Sequence, residues 1–337
     1  MSDQVGILGA GAWGTTLAVA LAAAERPVTL WAHSSEAAEE LAAQRENRRY
    51  LPGVVLPPNV RIATDESFLA EPYRLFIVAV PSAHLRAVAG RLAASLYPDA
   101  PILSAVKGIE EETHRRPTQV IDGELPGRRI AVLSGPNLAK EIAAGKPAGS
   151  VVASVHADLA DDLAALLGSD RFRVYTNADV VGVELGGALK NVVALAAGMV
   201  DGLRLGDSAK AGIVTRGLAE MTRLGVSAGA NPLTFAGLAG VGDLIATCMS
   251  PLSRNRRAGE LLGSGVAWEE AAPQLNGVAE GVTTARGALA LAAQHGVELP
   301  IAEQVDAVIH HGLPPTQAVA ALMARERKSE LEGLPAR

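Results

Sequence analysis

Val5-Gly6-Ile7-Leu8-Gly9-Ala10-Gly11-Ala12-Trp13-Gly14, near the amino terminus, decides the reading of the fold. The short apolar run Val5–Leu8 predicts a buried strand, and the Ala-rich run Thr15–Ala24 predicts a helix. The glycines between them match G-x-G-x-x-G in the strand–turn–helix setting that gives the pattern its meaning. There Gly9 permits a tight turn, Gly11 lets the backbone approach a pyrophosphate, and Gly14 lets the helix pack on the sheet. The helix start presents open N–H groups and a positive dipole end to an anion. Dinucleotide binding is the functional reading of this turn; a tight turn with no ligand is the alternative.

Working outward, Val28–Trp31, Leu75–Val80, Ile102–Val106, Ile130–Leu133, Val151–Val155 and Phe172–Tyr175 repeat the short β-branched run, with helical stretches between them. That alternation predicts a mainly parallel sheet covered by helices. After Ala178 such runs stop, and Ala178–Gly202, Ala209–Leu224, Arg254–Leu262, Val278–His295, Ile301–His311 and Thr316–Lys328 read as helices. The expected organisation is an α/β Rossmann domain over residues 1–178, an all-α second domain over 179–328, and a frayed charged tail over 329–337. Ala178–Gly202 is the expected connector, since no Ser/Gly-rich linker is visible.

Composition agrees. A chain of 337 residues, 49% hydrophobic and 20% charged, is globular and long enough for two cores. The single cysteine, Cys248, has no internal disulfide partner, which fits a reducing cytoplasm. The amino terminus lacks a basic region before its apolar run, so no signal peptide is read there. The densest apolar stretch, Asn191–Val200, is shorter than the roughly 20 residues that span a bilayer, so no transmembrane segment is expected. A net charge of −6 with 3% aromatics gives neither a basic stripe nor stacking platforms for nucleic acid. An anionic ligand must then be held by local cations.

Four segments offer such groups. The second strand ends in Trp31-Ala32-His33-Ser34-Ser35, without the carboxylate that commonly takes a ribose 2′-hydroxyl. An imidazole and two hydroxyls there can donate to a 2′-phosphate, so NADP(H) is accepted on this reading; a plain loop is the alternative. Glu184-Leu185-Gly186-Gly187-Ala188-Leu189-Lys190-Asn191 places a lysine on an apolar helix one turn past two glycines, which would leave a hollow for a small substrate. Desolvation would lower the Lys190 pKa and suit it to proton transfer, unless the side chain snorkels to water. Gly237–Thr247 carries the lone carboxylate Asp243, and Ser253-Arg254-Asn255-Arg256-Arg257 starts a helix with donors that suit an oxyanion, or else is a capped, solvated basic turn. Lys107-Gly108 ends an apolar strand, where α/β crevices hold ligands. His310 and His311 are read as surface residues without acidic partners, no metal site is expected, and no GxSxG, Walker or CxxC pattern is present.

The segments together resemble the bacterial NAD(P)-dependent glycerol-3-phosphate dehydrogenase family over nearly the whole chain. The resemblance rests on GAGAWGTTLA, Tyr50-Leu51-Pro52, Val80-Pro81-Ser82, Val106-Lys107-Gly108, Ser134-Gly135-Pro136 through Glu141, ELGGALKN to Asn191, Thr215-Arg216-Gly217, GLAGVGDL, Ser253-Arg254-Asn255 and Asn276 through Gly281. It implies a second domain of the 6-phosphogluconate dehydrogenase-like type, NAD(H) or NADP(H) as cofactor, and reversible reduction of dihydroxyacetone phosphate to sn-glycerol 3-phosphate for phospholipid synthesis. It further implies Lys190 as the proton donor and acceptor, with Lys107, Gly135, Asn137, Asn191, Asp243, Thr247, Ser253, Arg254 and Asn255 at the substrate. Gly9, Gly11, Ala12, Trp13, Gly14, His33, Tyr50, Lys107, Ala139, Arg254, Val278 and Glu280 fall at cofactor contacts. A cytoplasmic enzyme, acting on small molecules and open to homodimer formation, is the corresponding expectation. Three positions depart from the family pattern: Asn137-Leu138 where Ser or Thr precedes an aromatic, Ser208 for Asn, and His33 for Arg. A 3-hydroxyacid or ketopantoate reductase of the same superfamily and a nucleotide sensor without turnover are the competing readings.

Overall fold

The computed structural model describes residues 3–64, 66–95, 100–275, 277–327 and 329–330. Asn276 and most of the expected tail, 331–337, lie outside the described residues. The chain divides into two compact units: Met1–Val106 with Pro117–Val180, and Lys107–Arg116 with Val181–Arg337.

The first unit is an eight-stranded sheet of β1 (Val5–Leu8), β2 (Val28–Trp31), β3 (Val60–Ala63), β4 (Leu75–Val78), β5 (Ile102–Ser104), β6 (Ile130–Ser134), β7 (Ala148–Ala153) and β8 (Phe172–Asn177). Their order is β3-β2-β1-β4-β5-β6-β7-β8. All neighbouring pairs are parallel except β6 with β7. That exception has a local cause. The connecting helix, Ala139–Ala143, has five residues and rises only about 7.5 Å, too little to carry the chain back along the sheet for a parallel return. Strand β3 was not expected from sequence. It is four residues long, follows two prolines, and is held at the edge by register with β2, Val28 opposite Val60.

Strand order reverses between β1 and β4, the switch point at whose carboxyl end open α/β sheets bind ligands. The glycine turn lies there. Gly9 has φ +113°, and a Cβ on it would stand 2.7 Å from the Ala79 carbonyl oxygen, so the turns after β1 and β4 touch backbone to backbone. Helix Ala12–Ala23 begins inside the glycine motif, three residues earlier than expected.

The second unit is helical and built around Val180–Gly202, in which every residue from Gly182 to Val200 is buried. Its 23 residues match the expected Ala178–Gly202 closely, and taken whole, unlike the stretch Asn191–Val200 alone, they are long and apolar enough to cross a bilayer. Here 89% of its most apolar window is buried, and Leu185, Leu189, Val192, Val193 and Leu195 form the centre of the helical core. A helix apolar on all sides is the buried centre of its unit. A second apolar stretch, Pro232–Met249, is interrupted at Gly240, where the backbone is non-helical. Around the central helix lie Asp207–Ser227, Pro232–Phe235, Asp243–Met249, Arg254–Gly263, Trp268–Ala271, Gly281–His295, Pro300–His310 and Pro315–Met323. Helix Asp207–Ser227 begins two residues before the expected Ala209 and takes in Ser208.

Candidate functional site

In the first unit the turn is built for an anion. Gly11, at the N-cap of Ala12–Ala23, gives the helix no side-chain cap, and a Cβ at Gly11 would meet nothing within 4 Å. At Gly14 a Cβ would fall 1.9 Å from the Gly9 carbonyl oxygen, so only glycine lets the turn close on the helix. The Trp13 indole N–H is buried without a hydrogen-bond partner. Uncapped N–H groups and open space at Gly11 fit a dinucleotide pyrophosphate, and the Trp13 indole is a further donor in the same turn that the fold leaves without a partner.

One residue supporting this turn had no sequence signal. Asn47, 4% exposed, donates to the Ala10 carbonyl oxygen at 2.9 Å and to Thr15 Oγ1 at 2.8 Å, and its Oδ1 accepts from the Tyr50 backbone N–H. It ties the Tyr50 segment to the glycine turn across 32 or more residues, a pairing that periodicity cannot reveal. Arg49 stacks over the Tyr50 ring at 5.1 Å. His33 is exposed just past β2, whereas Ser34 accepts from the Ala37 backbone N–H and caps helix Ser35–Gln44. Of the two hydroxyls expected to face a 2′-phosphate, the Ser34 oxygen is thus engaged in capping.

Gly135 and Asn137 follow β6, and Ala139 starts the next helix. The Asn137 amide donates to the Gly149 carbonyl oxygen at 3.3 Å and accepts from Ser150 Oγ at 3.1 Å. The asparagine therefore has hydrogen-bonding work inside the fold.

In the second unit Lys190, 6% exposed, does not snorkel. Its Nζ donates to Asp243 Oδ1 and, at 2.8 Å, to Thr247 Oγ1. Thr247 in turn donates to the Asp243 carbonyl oxygen at 2.7 Å. The other carboxylate oxygen, Asp243 Oδ2, accepts from Lys107 Nζ at 2.8 Å, so one buried carboxylate is shared by two ammonium groups. Burial is the largest influence on Lys190 and lowers its pKa from 10.5 to about 8; Asp243 opposes the shift and Lys107 adds to it. Neighbouring Cys248, buried, is pushed up to about 12 and is inert as a thiolate.

Two expectations change here. The hollow beside Gly186 is filled: a Cβ there would meet the Ala239 carbonyl oxygen at 2.5 Å. Gly186 instead permits the backbone approach that brings Leu238–Gly242, and hence Asp243, onto the Lys190 helix. Lys107 does not end a strand, because β5 stops at Ser104 and Lys107 begins the segment that belongs to the helical unit.

Asn191 extends the polar row, donating weakly to the Lys107 carbonyl oxygen at 3.4 Å and accepting from Asn255 Nδ2 at 2.9 Å. Asn255 Oδ1 accepts from the Gly281 backbone N–H. Ser253 is the N-cap of Arg254–Gly263, as its alternative reading had it, while Arg256 is not solvated but pairs with Asp201 at 2.7 Å. Arg254 is exposed and crosses Gly277, whose Cβ position lies 2.5 Å from its Nη1. Val278 is exposed, and Glu280 sits at the N-cap of Gly281–His295. The structure thus brings Lys107, Lys190, Asn191, Asp243, Thr247 and Asn255 into one hydrogen-bonded row. Gly135, Asn137 and Ala139 belong to the first unit.

His311 is exposed as expected, whereas the reading of His310 as a surface residue, and of both as lacking an acidic neighbour, is corrected. Both face Asp306, at 3.8 and 3.3 Å, and the His310 side chain is largely buried. The i,i+4 spacing from Asp306 to His310 was the available signal. Among the described residues, no three His, Cys, Asp or Glu side chains gather as a metal site.

A doubly wound sheet with a glycine-rich first turn, followed by a helical unit around a buried lysine, defines a two-part Rossmann oxidoreductase. Residues 4–160 match the family described as NAD-dependent glycerol-3-phosphate dehydrogenase N-terminus, and residues 179–320 match the C-terminus of that description. The chain belongs to the NAD-dependent glycerol-3-phosphate dehydrogenase family. It is 47% identical to glycerol-3-phosphate dehydrogenase (NAD(P)+) of Desulfitobacterium hafniense, covering 98% of this chain and 93% of that one. Identity to the protein of the same name from Streptomyces avermitilis is 46%, over 97% and 98% of the two chains. The crystal structure of glycerol-3-phosphate dehydrogenase from Coxiella burnetii superimposes with a TM-score of 0.93 at 39% identity, covering 96% of this chain and 99% of that one.

Proposed function

We propose that this chain reversibly reduces dihydroxyacetone phosphate to sn-glycerol 3-phosphate with NADH or NADPH and supplies glycerophospholipid synthesis. The observation that carries the reading is the Lys190–Asp243–Lys107 cluster: a carboxylate holding a buried ammonium whose pKa of about 8 suits proton exchange near neutrality. When bound, the nicotinamide supplies or accepts the hydride at the substrate's C2.

The chain's own residues do the rest. Lys190 has three N–H bonds, and Asp243 and Thr247 take two, leaving one for a ketone oxygen. As negative charge builds on that oxygen, the ammonium stabilises it and passes its proton from Nζ; in the reverse direction the neutral amine takes the hydroxyl proton. Asp243 holds Nζ in place and favours its charged form, and Lys107, on the same carboxylate, limits that effect. Arg254 and Asn255 are assigned to the phosphate, with Asn191, Ser253, Gly135 and Asn137 as further substrate contacts. Phosphate binding fixes the carbonyl for attack. Gly9, Gly11, Ala12, Trp13, Gly14, His33, Tyr50 and Ala139 are assigned to the dinucleotide, supported by the uncapped helix start and the orphaned Trp13 N–H. Lys107, Arg254, Val278 and Glu280 are assigned as cofactor contacts on the resemblance alone.

A division of labour between residues 1–178 and 179–328, a cytoplasmic location, no nucleic-acid partner and a homodimer complete the proposal. The test is oxidation of NADPH and of NADH on addition of dihydroxyacetone phosphate. Turnover with neither cofactor overturns it.

A further inference from the structure

Lys107 reaches Asp243 from a ten-residue segment, Lys107–Arg116, that belongs to the helical unit although the chain on both sides belongs to the sheet unit. Such a loop needs an anchor at each end to hold a lysine still. At its start, the Lys107 carbonyl oxygen accepts from Asn191 Nδ2. In its middle, Ile109 is buried in the helical core against Gly287. The segment closes on itself where the Glu110 N–H donates to the Arg115 carbonyl oxygen at 3.1 Å and the His114 N–H donates to the Glu110 carbonyl oxygen at 2.9 Å. At its far end Arg116 Nη1 pairs with Glu184 Oε2, with 16% and 1% of the two side chains exposed.

Glu184 and Asn191 are seven residues apart on helix Val180–Gly202, hence on one face and about 10.5 Å apart along its axis. Lys190 stands beside the second of these points. Both ends of the segment are therefore fastened to the helix that carries the proton-transfer lysine.

We propose that the buried Arg116–Glu184 pair is a positioning device that keeps Lys107 against the second oxygen of Asp243. The proposal rests on the dehydrogenase reading for its assay. The titratable groups facing Lys190 are Asp243 and Cys248 from helix Asp243–Met249 and Lys107 from the segment. When Lys107 is free to leave, its charge no longer opposes protonation of Lys190, so Lys190 binds its proton more tightly. A pair that served folding alone would not alter that balance.

The test is the double variant R116M/E184M, which removes one charge of each sign and keeps net charge and approximate volume. Such replacements of buried pairs are often neutral in stability. In the intact enzyme, kcat/KM for dihydroxyacetone phosphate should fall about tenfold or more, and its alkaline limb should move up by about 0.5–1 pH unit. In a Lys107→Met background the same double change should have little further effect on that limb, since the pair acts through Lys107. The single variant Arg116→Lys, which retains a cation for Glu184, should recover most of the parent's profile. Should the double variant fail to fold, Glu184→Asp, which withdraws the carboxylate by one methylene, should show the same upward shift on a smaller scale. An unshifted limb in the folded variants, or equal shifts with and without Lys107, overturns the proposal. Absence of turnover in the parent overturns the dehydrogenase reading instead.

Discussion

Asp243→Asn changes one charge and almost no volume, and its effect falls on the proton affinity of Lys190. In the parent, burial lowers the Lys190 pKa to about 8, with Asp243 working against the shift and Lys107 with it. Asp243 Oδ1 accepts from Lys190 and Oδ2 from Lys107, so the amide leaves two ammonium groups facing each other without their anion. An opposite charge within hydrogen-bonding reach favours its partner's charged form by about 1–3 pKa units. Lys190 should then fall from about 8 to about 5–7. Deprotonation also lets the lysine escape the roughly 3–5 kcal/mol cost of a buried charge that has lost its partner. The assay is the pH profile of kcat/KM for NADPH-dependent reduction of dihydroxyacetone phosphate, which reports free-enzyme pKa values. Reduction needs the protonated lysine, so the alkaline limb should move down by about 1–3 units, with a loss near neutral pH of about 2- to 100-fold. Oxidation of glycerol 3-phosphate, which needs the neutral amine, should have its acid limb displaced the same way. A variant whose activity falls equally at every pH, with its limb still near 8, refutes the assignment of Asp243 to Lys190 protonation.

Four further outcomes follow from the same geometry. Burial raises Glu220 from 4.5 to about 7, so the folded chain holds a proton there that the unfolded chain releases; stability declines as pH climbs through that interval, by up to about 3 kcal/mol, and Glu220→Gln should flatten the resulting fall of Tm with pH. Lys190 has the opposite sign: below about pH 8 the folded lysine keeps its charge at the cost of burial, and that cost falls away as pH climbs from about 8 toward 10.5, so Lys190→Met should raise Tm at neutral pH and lose the gain over the same interval. Arg254→Lys should lose part of the phosphate grip and Arg254→Ala nearly all, about 10–100-fold in kcat/KM per bond removed, while dihydroxyacetone without phosphate should hardly be affected by Arg254→Ala; equal losses on both substrates refute the assignment. His33→Asp should weaken NADPH more than NADH, by placing an anion beside a 2′-phosphate; equal changes in the two affinities exclude residue 33 from reading that phosphate.

What the sequence revealed and what it hid divide along sequence distance. The β1–turn–helix unit was legible because its glycines, strand and helix are contiguous, and the buried helix around Lys190 was legible from its Ala- and Val-rich composition. Strand β3 was missed because four alternating residues become a strand only by pairing with β2. Gly186 was read as a hollow when its meaning lies in Ala239, more than fifty residues on, and the same holds for Asn47 beneath the glycine turn. Lys107 was placed at a strand end because the chain there runs from an apolar strand; its membership in the helical unit depends on Asn191, Glu184 and Gly287, which no local pattern announces. Ser253 shows a different limit: its hydroxyl oxygen accepts from the Arg256 N–H as the helix cap while the O–H can still donate to an oxyanion, so a helix-start serine in the sequence does not separate the two roles.

Lys190 is the group assigned to exchange the proton. Steady-state oxidation of NADPH by dihydroxyacetone phosphate, measured side by side for the parent and Lys190→Met with folding and cofactor binding verified in each, tests it most directly. The parent should turn over, and the variant should bind cofactor normally while kcat falls by at least about 10²-fold. Near-normal turnover in the folded variant contradicts the account.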